Sequence, residues 1–301
     1  MTRRSNAPIH GWLVIDKPAG ITSARVVGMV KRATGAKIGH AGTLDPLATG
    51  ILPLALGEAT KAMRFASAER KRYRFRVRWG IATDSDDRDG AVVGDSAVRP
   101  TPAAIAAALP AFTGVILQRP PAYSAIKVAG RRAYALARAG RPPELPARPV
   151  EIATLQLTSI ISPDVAEFEA AVGGGTYVRS LARDLAASLG TLGHITELRR
   201  LSVGRFGEAQ AIALDLAVAL GHSLAASEHL LPIETALDDI PALAVTAAEA
   251  ERLRHGQRVT PLAMPAAAED GRLVAASCDS RLVAVARLEA GVLRPLRIIN
   301  R

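Results

Sequence analysis

One carboxylate in the sequence is surrounded by turn-forming residues. The segment GHAGTLDPLATG, residues 39–50, places Asp45 between Gly42 and Gly50, and Pro46 follows the acid directly. Glycine permits a tight turn, and proline fixes the backbone and removes a hydrogen-bond donor. Because the segment has neither helical nor strand periodicity, we predict a loop that carries a catalytic acid. The alternative is an Asx-turn, in which the carboxylate only caps its own backbone.

A second candidate group lies in the segment GGGTYVRS, residues 173–180, where three glycines precede a predicted helix. The free N–H groups and the dipole of a helix N-terminus favour an anion. Arg179 falls in the first turn beside Tyr177, where a guanidinium can hold a carboxylate ionised and oriented. A contact with a phosphate, or an arginine exposed to solvent, explains the same residue.

Two segments are rich in basic side chains. Residues 64–78 contain seven arginines or lysines against one acid, and Tyr73 lies among them. Residues 127–148 contain six more, also against one acid. Such segments suit contacts with nucleic-acid phosphates, and an aromatic ring can stack on a base. The alternative is a solvated charged face, with Tyr73 in the core.

The composition limits the class of protein. The 301 residues are 49% hydrophobic and carry a net charge of +10, so we expect a globular chain with a polyanionic partner. Cys278 is the only cysteine, which excludes an intrachain disulfide. The histidines lack metal-binding spacing, and taken alone His40 and His194 are expected to be structural. No stretch suits a signal peptide or membrane span, which predicts a cytoplasmic protein.

Periodic patterns predict the elements that position these groups. In residues 71–83, apolar and aromatic side chains alternate with arginines, which predicts a half-exposed strand. Thr22 or Ser23 is the expected N-cap of a helix that ends at Gly35. Further helices are predicted over residues 58–69, 101–109, 131–140 and 176–190, and further strands over 11–16, 51–57, 148–160 and 165–173. Because they do not alternate regularly, we predict an α+β fold with a mixed, largely antiparallel sheet flanked by helices.

The composition shifts towards acids and prolines before residue 240. We therefore predict two domains, residues 1–240 and residues 241–301. The second contains one helical pattern and three short strand patterns, over residues 272–277, 282–288 and 293–299. A segment of this length can form only a small β-rich barrel or sandwich.

Together the motifs resemble those of the TruB-type tRNA pseudouridine synthases. The matching stretches run in order over about residues 11–207. They are GWLVIDKPAGITS, GHAGTLDPLATGILPLALGEATK, KRYRFRVRWGIATDSDDRDG, PAYSAIKVAGRRAYALAR and GGGTYVRSLARDLAASLGTLGHITELRRLSVG. The GTLDPLATG loop is the most specific of them.

The resemblance implies the pseudouridine synthase fold and a reaction. Family members convert uridine 55 in the T-loop of tRNA into pseudouridine without a cofactor or metal. The N1–C1′ bond breaks, the uracil rotates, and a C5–C1′ bond forms. Because these atoms cannot be reached in a stacked loop, the nucleotide must be flipped out.

The resemblance also implies roles for individual residues. Asp45 matches the essential catalytic aspartate, and Arg179 matches the arginine that pairs with it. Tyr73 matches a tyrosine that stacks on the target uracil, while Tyr177 and Leu198 match residues that line the same pocket. His40 matches a histidine that holds the T-loop open, and Lys17 matches a lysine that supports the active site.

Three further expectations follow from the resemblance. The C-terminal segment is expected to be an RNA-binding domain of the PUA type, the partner is the T-stem-loop of tRNA, and the protein is expected to be a monomer. A guide-RNA-dependent pseudouridine synthase shares the GTLDP core, but the LATG that follows favours the stand-alone type. A tRNA-binding folding chaperone is the alternative from another class.

Overall fold

The computed structural model describes residues 8–68, 70–128, 130–262 and 270–300. The described chain forms two compact units. The first unit comprises the described parts of Met1–Asp45, Ile51–Ser67 and Gly204–Arg301, and the second comprises Pro46–Gly50 and Ala68–Val203. One of the positions at which the chain passes from one unit to the other lies directly after Asp45. No helix in the described ranges is long and apolar enough to cross a membrane.

The second unit is built on five antiparallel neighbours. Their order is Gly193–Val203, Lys71–Trp79, Val165–Val172, Arg148–Ser162 and Gly114–Gln118. We call Lys71–Trp79 the arginine strand. Its alternation is as predicted, because Tyr73, Phe75, Val77 and Trp79 are buried. The rings of Phe75 and Phe168 stack with their centroids 5.5 Å apart, which ties two neighbouring strands to one core.

Short elements complete the second unit. The helix Val178–Ser188, which we call the site helix, packs on the strand Gly193–Val203. It buries Leu181 and Leu185, which are one turn apart and therefore on one face. The other helices are Pro102–Ala108, Leu109–Phe112 and Ala133–Arg138, and the strand pairs are Ile81–Thr83 with Val92–Asp95 and Lys127–Val128 with Arg131–Arg132.

The first unit holds the N-terminal strand and helix. The strand Gly11–Lys17 pairs in parallel with Ala211–Ala213 and antiparallel with Leu230–Leu231, and it also neighbours Thr49–Leu56. The helix Ser23–Thr34 begins at Thr22, whose hydroxyl accepts a hydrogen bond from Arg25 N, and it ends at Gly35. Its other elements are Ile38–His40, Gly57–Lys61, Met63–Ala68, Phe206–Gly207, Glu208–Gln210, Leu214–Leu220, Gly221–Ala226 and Ile233–Leu237.

The C-terminal part of the first unit carries a separate sheet. Its strand order is Ala242–Ala244, Leu273–Cys278, Arg281–Glu289 and Val292–Ile298. The helix Ala247–Arg254 packs on this sheet and begins with a capping box between Thr246 and Glu249. The three predicted C-terminal strands and the helix are confirmed. The domain boundary near residue 240 precedes the first of these strands and stays a prediction.

The predicted fold class is confirmed. Strands and helices mix without a repeated βαβ unit, and most strand neighbours are antiparallel. One expected helix is divided: residues 58–69 were predicted as a single helix, but Gly57–Lys61 is a 3₁₀ turn and Met63–Ala68 a short α-helix. The predicted strand 71–83 ends at Trp79, because Gly80 turns the chain with a φ of 87°.

Candidate active site

Asp45 lies in a loop, as the sequence predicts. Residues 41–48, which we call the aspartate loop, form no helix or strand, and Asp45 is half-buried. The loop is anchored at the preceding residue, since the hydroxyl of Ser23 accepts a hydrogen bond from Leu44 N at 2.9 Å and donates one to Leu44 O at 3.1 Å. Ser23 is buried at the start of a helix. The buried start of this helix therefore fixes the loop at Leu44, the residue next to Asp45.

Two glycines give the aspartate loop its course. Gly42 has a φ of 89° and Gly50 a φ of 98°, which L side chains rarely adopt. A Cβ at Gly50 would also collide with the backbone carbonyl of Arg200. Thr49 and Gly50 pair in parallel with Arg199 and Arg200, so the chain leaving the loop is locked into a sheet.

Two further predicted residues belong to the first unit with Asp45. Lys17 is fully buried, and its Nζ donates to the carbonyls of Pro18 and Ile21 at 2.8 Å each. These contacts close the turn after the first strand, which fits the supporting role expected for this lysine. His40 is half-buried in the strand Ile38–His40, where it faces Leu54.

The start of the site helix is held from the sheet. Tyr177 is its N-cap, and Tyr177 N donates to Oε1 of Gln118 at 2.8 Å. The guanidinium of Arg148 lies 5.4 Å from the centroid of the Tyr177 ring, and its Nη2 donates to Gly175 O at 2.7 Å. Because Arg148 and Gln118 are opposite each other on neighbouring strands, one edge of the sheet fixes both the backbone and the ring of Tyr177.

Arg179 is buried, with 4% of its surface exposed. Its Nη1 donates to Ser85 O at 2.8 Å, and its Nη2 donates to Tyr123 O at 2.9 Å. Its Nε lies 3.6 Å from Oδ2 of Asp87, which is also buried. Asp87 is thus a carboxylate partner of Arg179, and this arginine is neither a solvated side chain nor an unpaired charge.

The segment TDSDDRDG, residues 83–90, supplies this partner, although the sequence predicts only a polar turn there. We call it the acidic turn. Asp87 is itself held, because its Oδ1 accepts from Ser85 Oγ at 2.6 Å and from Asp89 N at 3.1 Å. A carboxylate with this many donors is pre-oriented towards the guanidinium.

A second ion pair lies one turn further along the site helix. Arg183 Nη1 donates to Oδ2 of Asp86 at 2.8 Å, and Arg183 Nη2 donates to Arg119 O at 2.9 Å. Burial raises the pKa of the Asp86 carboxyl, and this effect exceeds the opposite effect of the nearby positive charges of Arg183 and Arg179. Asp84 also accepts from the hydroxyl of Tyr123 at 3.0 Å. Three aspartates of one turn thus fix the site helix and residues 119–123.

The remaining predicted site residues share one face of the sheet. Tyr73 is 8% exposed and faces Arg200, while Leu198 is 6% exposed and faces Phe75. Tyr73 and Leu198 are therefore diagonal neighbours on adjacent strands, within the reach of an aromatic side chain. Arg200 is almost fully buried, and no sequence pattern pointed to it.

Three of the four arginines on the other face of the arginine strand are paired with acids. Arg74 contacts Glu169 at 2.7 Å, and Arg76 contacts both Glu167 and Glu197 at 3.0 and 2.7 Å. Arg72 also reaches Glu169, at 3.2 Å. These glutamates lie on the two neighbouring strands. The sequence alone does not give the strand register that places them opposite the arginines. The expectation of a phosphate-tracking surface is therefore weakened for this segment, because its charge is largely neutralised within the sheet.

The second basic segment differs. Lys127, Arg131, Arg132, Arg138 and Arg141 are exposed, and none has a carboxylate partner among the described residues. Glu144, the acid of this segment, is paired with Arg119 at 2.8 Å. This surface retains the positive charge that phosphate contacts require.

The predicted site residues fall into two sets. Asp45, Lys17 and His40 belong to the first unit, and Tyr73, Tyr177, Arg179 and Leu198 belong to the second. Sequence reasoning missed the side chains that hold them, namely Ser23, Asp87, Gln118 and Arg148. A buried arginine requires a buried acid, and the density of aspartates in the acidic turn was the available signal.

Comparisons with known proteins place the chain among related sequences. The family model "TruB family pseudouridylate synthase (N terminal domain)" matches residues 30–178, and "tRNA pseudouridylate synthase B C-terminal domain" matches residues 179–238. A protein of Rhodospirillum rubrum named tRNA pseudouridine synthase B is 50% identical, with 99% of each chain covered. Its namesake from Gluconacetobacter diazotrophicus is 51% identical, with 99% of this chain and 100% of that protein covered.

A solved structure has a similar fold. The crystal structure of a Cbf5-Nop10-Gar1 complex contains a chain that matches with a TM-score of 0.74 and 25% identity. The match covers 97% of this chain and 85% of that one. The expected pseudouridine synthase fold is thereby confirmed.

Proposed function

The chain belongs to the TruB family of pseudouridylate synthases, and on that premise we propose that it isomerises uridine 55 in the T-loop of tRNA to pseudouridine. The observation that carries the proposal is the full-length match, at about half identity, to relatives named for action on tRNA. The exposed basic surface of residues 127–141 adds the charge that an RNA partner needs.

The reaction is an isomerisation. The N1–C1′ bond breaks, the uracil turns within the site, and C5 bonds to C1′. C5 then releases a proton and N1 takes one up, so that no atom or electron is gained. The reaction needs an ionised carboxylate, a held base and a site from which water is excluded.

We assign the carboxylate to Asp45. Attack on C1′, attack on C6 and removal of a 2′ proton each require this acid in its ionised form. Its half-buried position and the anchoring of Leu44 by Ser23 support the assignment, because a catalytic group must be held in one geometry.

The other residues take supporting roles in this proposal. Arg179, itself fixed by the acidic turn, takes the role of the family's active-site arginine. Tyr73 stacks on the uracil, and Tyr177 and Leu198 shape the pocket around it. Stacking on an aromatic ring contributes about 1–3 kcal/mol per base, which helps to offset the cost of unstacking the nucleotide. His40 holds the opened T-loop, and Lys17 supports the turn after the first strand.

Replacing Asp45 by asparagine is the decisive experiment. The side chain keeps its shape but loses its charge, so we expect no detectable tritium release from tRNA labelled at uridine C5. Binding of the tRNA is expected to stay within a few-fold of wild type. Asp95→Asn, at an exposed acid in the strand Val92–Asp95, is the matched control and should isomerise normally. Substantial turnover by Asp45→Asn would reject the assignment.

The same assay separates the alternatives. Purified wild-type protein is expected to modify a tRNA transcript without any added guide, which a guide-RNA-dependent synthase would not do. A folding chaperone would bind the transcript and leave its uridines unchanged. Mapping of pseudouridines in the product should place the modification at position 55, and modification elsewhere would contradict the proposed target.

Replacing Tyr73 by alanine tests the stacking role. Because most of the affinity for tRNA should come from phosphates, we expect turnover to fall far more than affinity. Tyr73→Phe retains a ring and should recover most of the turnover. A large loss of affinity with unchanged turnover would count against stacking at this position.

A further inference from the structure

The glycine-rich segment before the site helix is fastened to the strand Arg148–Ser162. Gly173 N donates to Glu151 O at 2.8 Å, and Arg148 Nη2 donates to Gly175 O at 2.7 Å. Gly175 has a φ of 89°, and a Cβ at this position would lie 3.6 Å from Arg148 Nη2. Because glycines have no side chains, the neighbouring strand supplies the contacts that fix this segment.

The site helix is capped from a different strand. Its N-cap residue, Tyr177, makes no side-chain hydrogen bond to the first turn. In a capping box, the side chain at the third helical position bonds the N–H of the N-cap residue. Ser180 occupies that position, but its buried Oγ has no hydrogen-bond partner among the described residues. Tyr177 N instead donates to Oε1 of Gln118 at 2.8 Å, so an edge strand of the sheet provides the capping contact.

Gln118 is an unfavourable residue for stability at this position. It is 1% exposed, and its Nε2 has no hydrogen-bond partner in the described part of the chain. An unpaired buried donor costs free energy, which an apolar side chain of the same length would avoid. A residue that breaks a rule of stability is expected where function requires it. The bond to Tyr177 N is therefore the contact that explains a glutamine here.

Arg148 acts on the same tyrosine from the neighbouring strand. It faces Gln118 in the register of the two strands, and its guanidinium lies 5.4 Å from the centroid of the Tyr177 ring. A planar guanidinium can stack on an aromatic ring and donate hydrogen bonds from its edge. Arg148 thus holds the ring of Tyr177, and Gln118 holds its backbone. We call Gln118 and Arg148 the edge clamp.

We propose that the edge clamp positions Tyr177 for the isomerisation, so that Gln118 and Arg148 are positioning residues of the reaction. The inference rests on the proposed function in taking Tyr177 as a wall of the uracil pocket. The uracil must turn in place between the breaking of one bond and the formation of the next, and a displaced wall would let it leave the productive geometry. Because most of the affinity for tRNA should come from phosphates, the clamp should act on turnover and not on affinity.

Replacing Gln118 by methionine removes the amide and keeps the length of the side chain. With an in vitro transcribed tRNA, we expect kcat to fall about tenfold or more and KM to stay within about twofold of wild type. The Tm should stay near that of wild type, because the unpaired Nε2 is removed while Tyr177 N loses its acceptor. Gln118→Glu offers an acceptor oxygen in either protonation state and should recover most of kcat. Leu117→Ala, at the neighbouring residue, which is 74% exposed, is the matched control and should equal wild type.

Replacing Arg148 by lysine separates the shape of this side chain from its charge. Lysine keeps the positive charge but lacks the planar group that stacks and donates at once. We therefore expect kcat to fall while KM for tRNA stays near the wild-type value. A weaker affinity with unchanged kcat would assign Arg148 to a phosphate contact and remove it from the clamp.

A second measurement observes Tyr177 without any substrate. The chain has four tyrosines, so labelling with fluorotyrosine gives four fluorine NMR signals, and Tyr177→Phe identifies the one from Tyr177. In Gln118→Met this signal should shift or broaden, while those of the other tyrosines stay in place. Gln118→Glu should restore it.

Wild-type kcat and an unchanged Tyr177 signal in Gln118→Met would overturn the proposal. A fall in kcat accompanied by a large fall in Tm would also overturn it, because that result indicates a role in stability alone. A wild-type protein that binds tRNA without isomerising it would defeat the proposed function, and the fluorine signal would still decide whether the clamp holds Tyr177. An active wild-type enzyme that Gln118→Met equals in every measurement would defeat only the clamp.

Discussion

The arginines of the arginine strand and three exposed arginines of the first unit, Arg64, Arg287 and Arg297, have the same chemistry and different surroundings. On the arginine strand, Arg72, Arg74 and Arg76 each meet a glutamate from a neighbouring strand. Burial and then the positive charges of Arg297 and Arg287 lower the pKa of the Arg64 guanidinium, and none of these three arginines has a carboxylate within ion-pair distance in the described part of the chain. The arginine strand lies in a dense basic run of the sequence, yet its paired arginines are less available to a polyanion than Arg64, Arg287 and Arg297.

The difference teaches that charge counts along a sequence do not locate a binding surface. A paired surface arginine contributes little, because two solvated charges gain only about 0–1 kcal/mol from each other. A buried pair such as Arg179 with Asp87 is costly to break, since removal of one partner leaves the other charge desolvated. The free energy lost when a charged side chain is replaced should therefore depend on its burial and on its ion-pair partner. Three experiments test this order.

The largest effect is expected at the buried pair. Arg179→Ala should lower the free energy of unfolding by about 3–5 kcal/mol, because Asp87 keeps its buried charge without this guanidinium. Urea denaturation measures the loss, and turnover should fall with it. The double variant Arg179→Ala, Asp87→Ala should be less destabilised than the sum of the two single variants. Strict additivity would show that the two side chains do not stabilise each other.

A smaller effect, with a characteristic pH dependence, is expected at Asp86. Burial raises the pKa of its carboxyl in the folded state, so the folded protein holds this proton more tightly than the unfolded chain. The ionised carboxyl costs stability at neutral pH, and the cost is relieved as the pH falls towards the ordinary range of an aspartate. Wild type should therefore gain stability relative to Asp86→Asn between pH 7 and pH 4.

Urea denaturation of both proteins across that pH range measures the difference. The asparagine does not titrate, so it serves as the reference at every pH. If the stability of wild type relative to Asp86→Asn falls instead of rising as the pH is lowered, the pairing with Arg183 outweighs burial.

The smallest effect is expected on the paired face of the arginine strand. Arg74→Gln should change the free energy of unfolding by about 1 kcal/mol or less, because the pair with Glu169 is half-exposed. Its affinity for tRNA should stay within about twofold of wild type. A clearly larger loss of affinity would show that Arg74 contacts RNA in spite of its pairing with Glu169.

Local patterns predicted most of the elements correctly. The helix from Ser23 to Thr34, the alternation of the arginine strand, and the C-terminal helix and strands all follow from periodicity and capping residues. These features depend on neighbours within a few residues, which the sequence displays directly. The single helix expected over residues 58–69 was wrong, since the turn at Lys61 is set by contacts with the distant strand end at Ile298.

The candidate site was predictable only in part. The turn chemistry around Asp45 and the helix start before Arg179 indicated which residues to consider, and the resemblance of their motifs supplied the reaction. The contacts that hold these residues join positions far apart in the chain: Ser23 with Leu44, Gln118 with Tyr177, and Asp87 with Arg179. Strand order and loop course decide such pairs, and neither is set by local spacing.

The sequence by itself determined the type of fold, the family and the identity of the acid offered for catalysis, because these depend on residue type and local order. Only the tertiary structure decided which charges are neutralised and which remain free. Cross-strand register set Arg74 against Glu169, and the end of a distant strand brought Arg297 to Arg64. The free energy of a charge depends on the neighbours within a few ångströms, and folding chooses those neighbours.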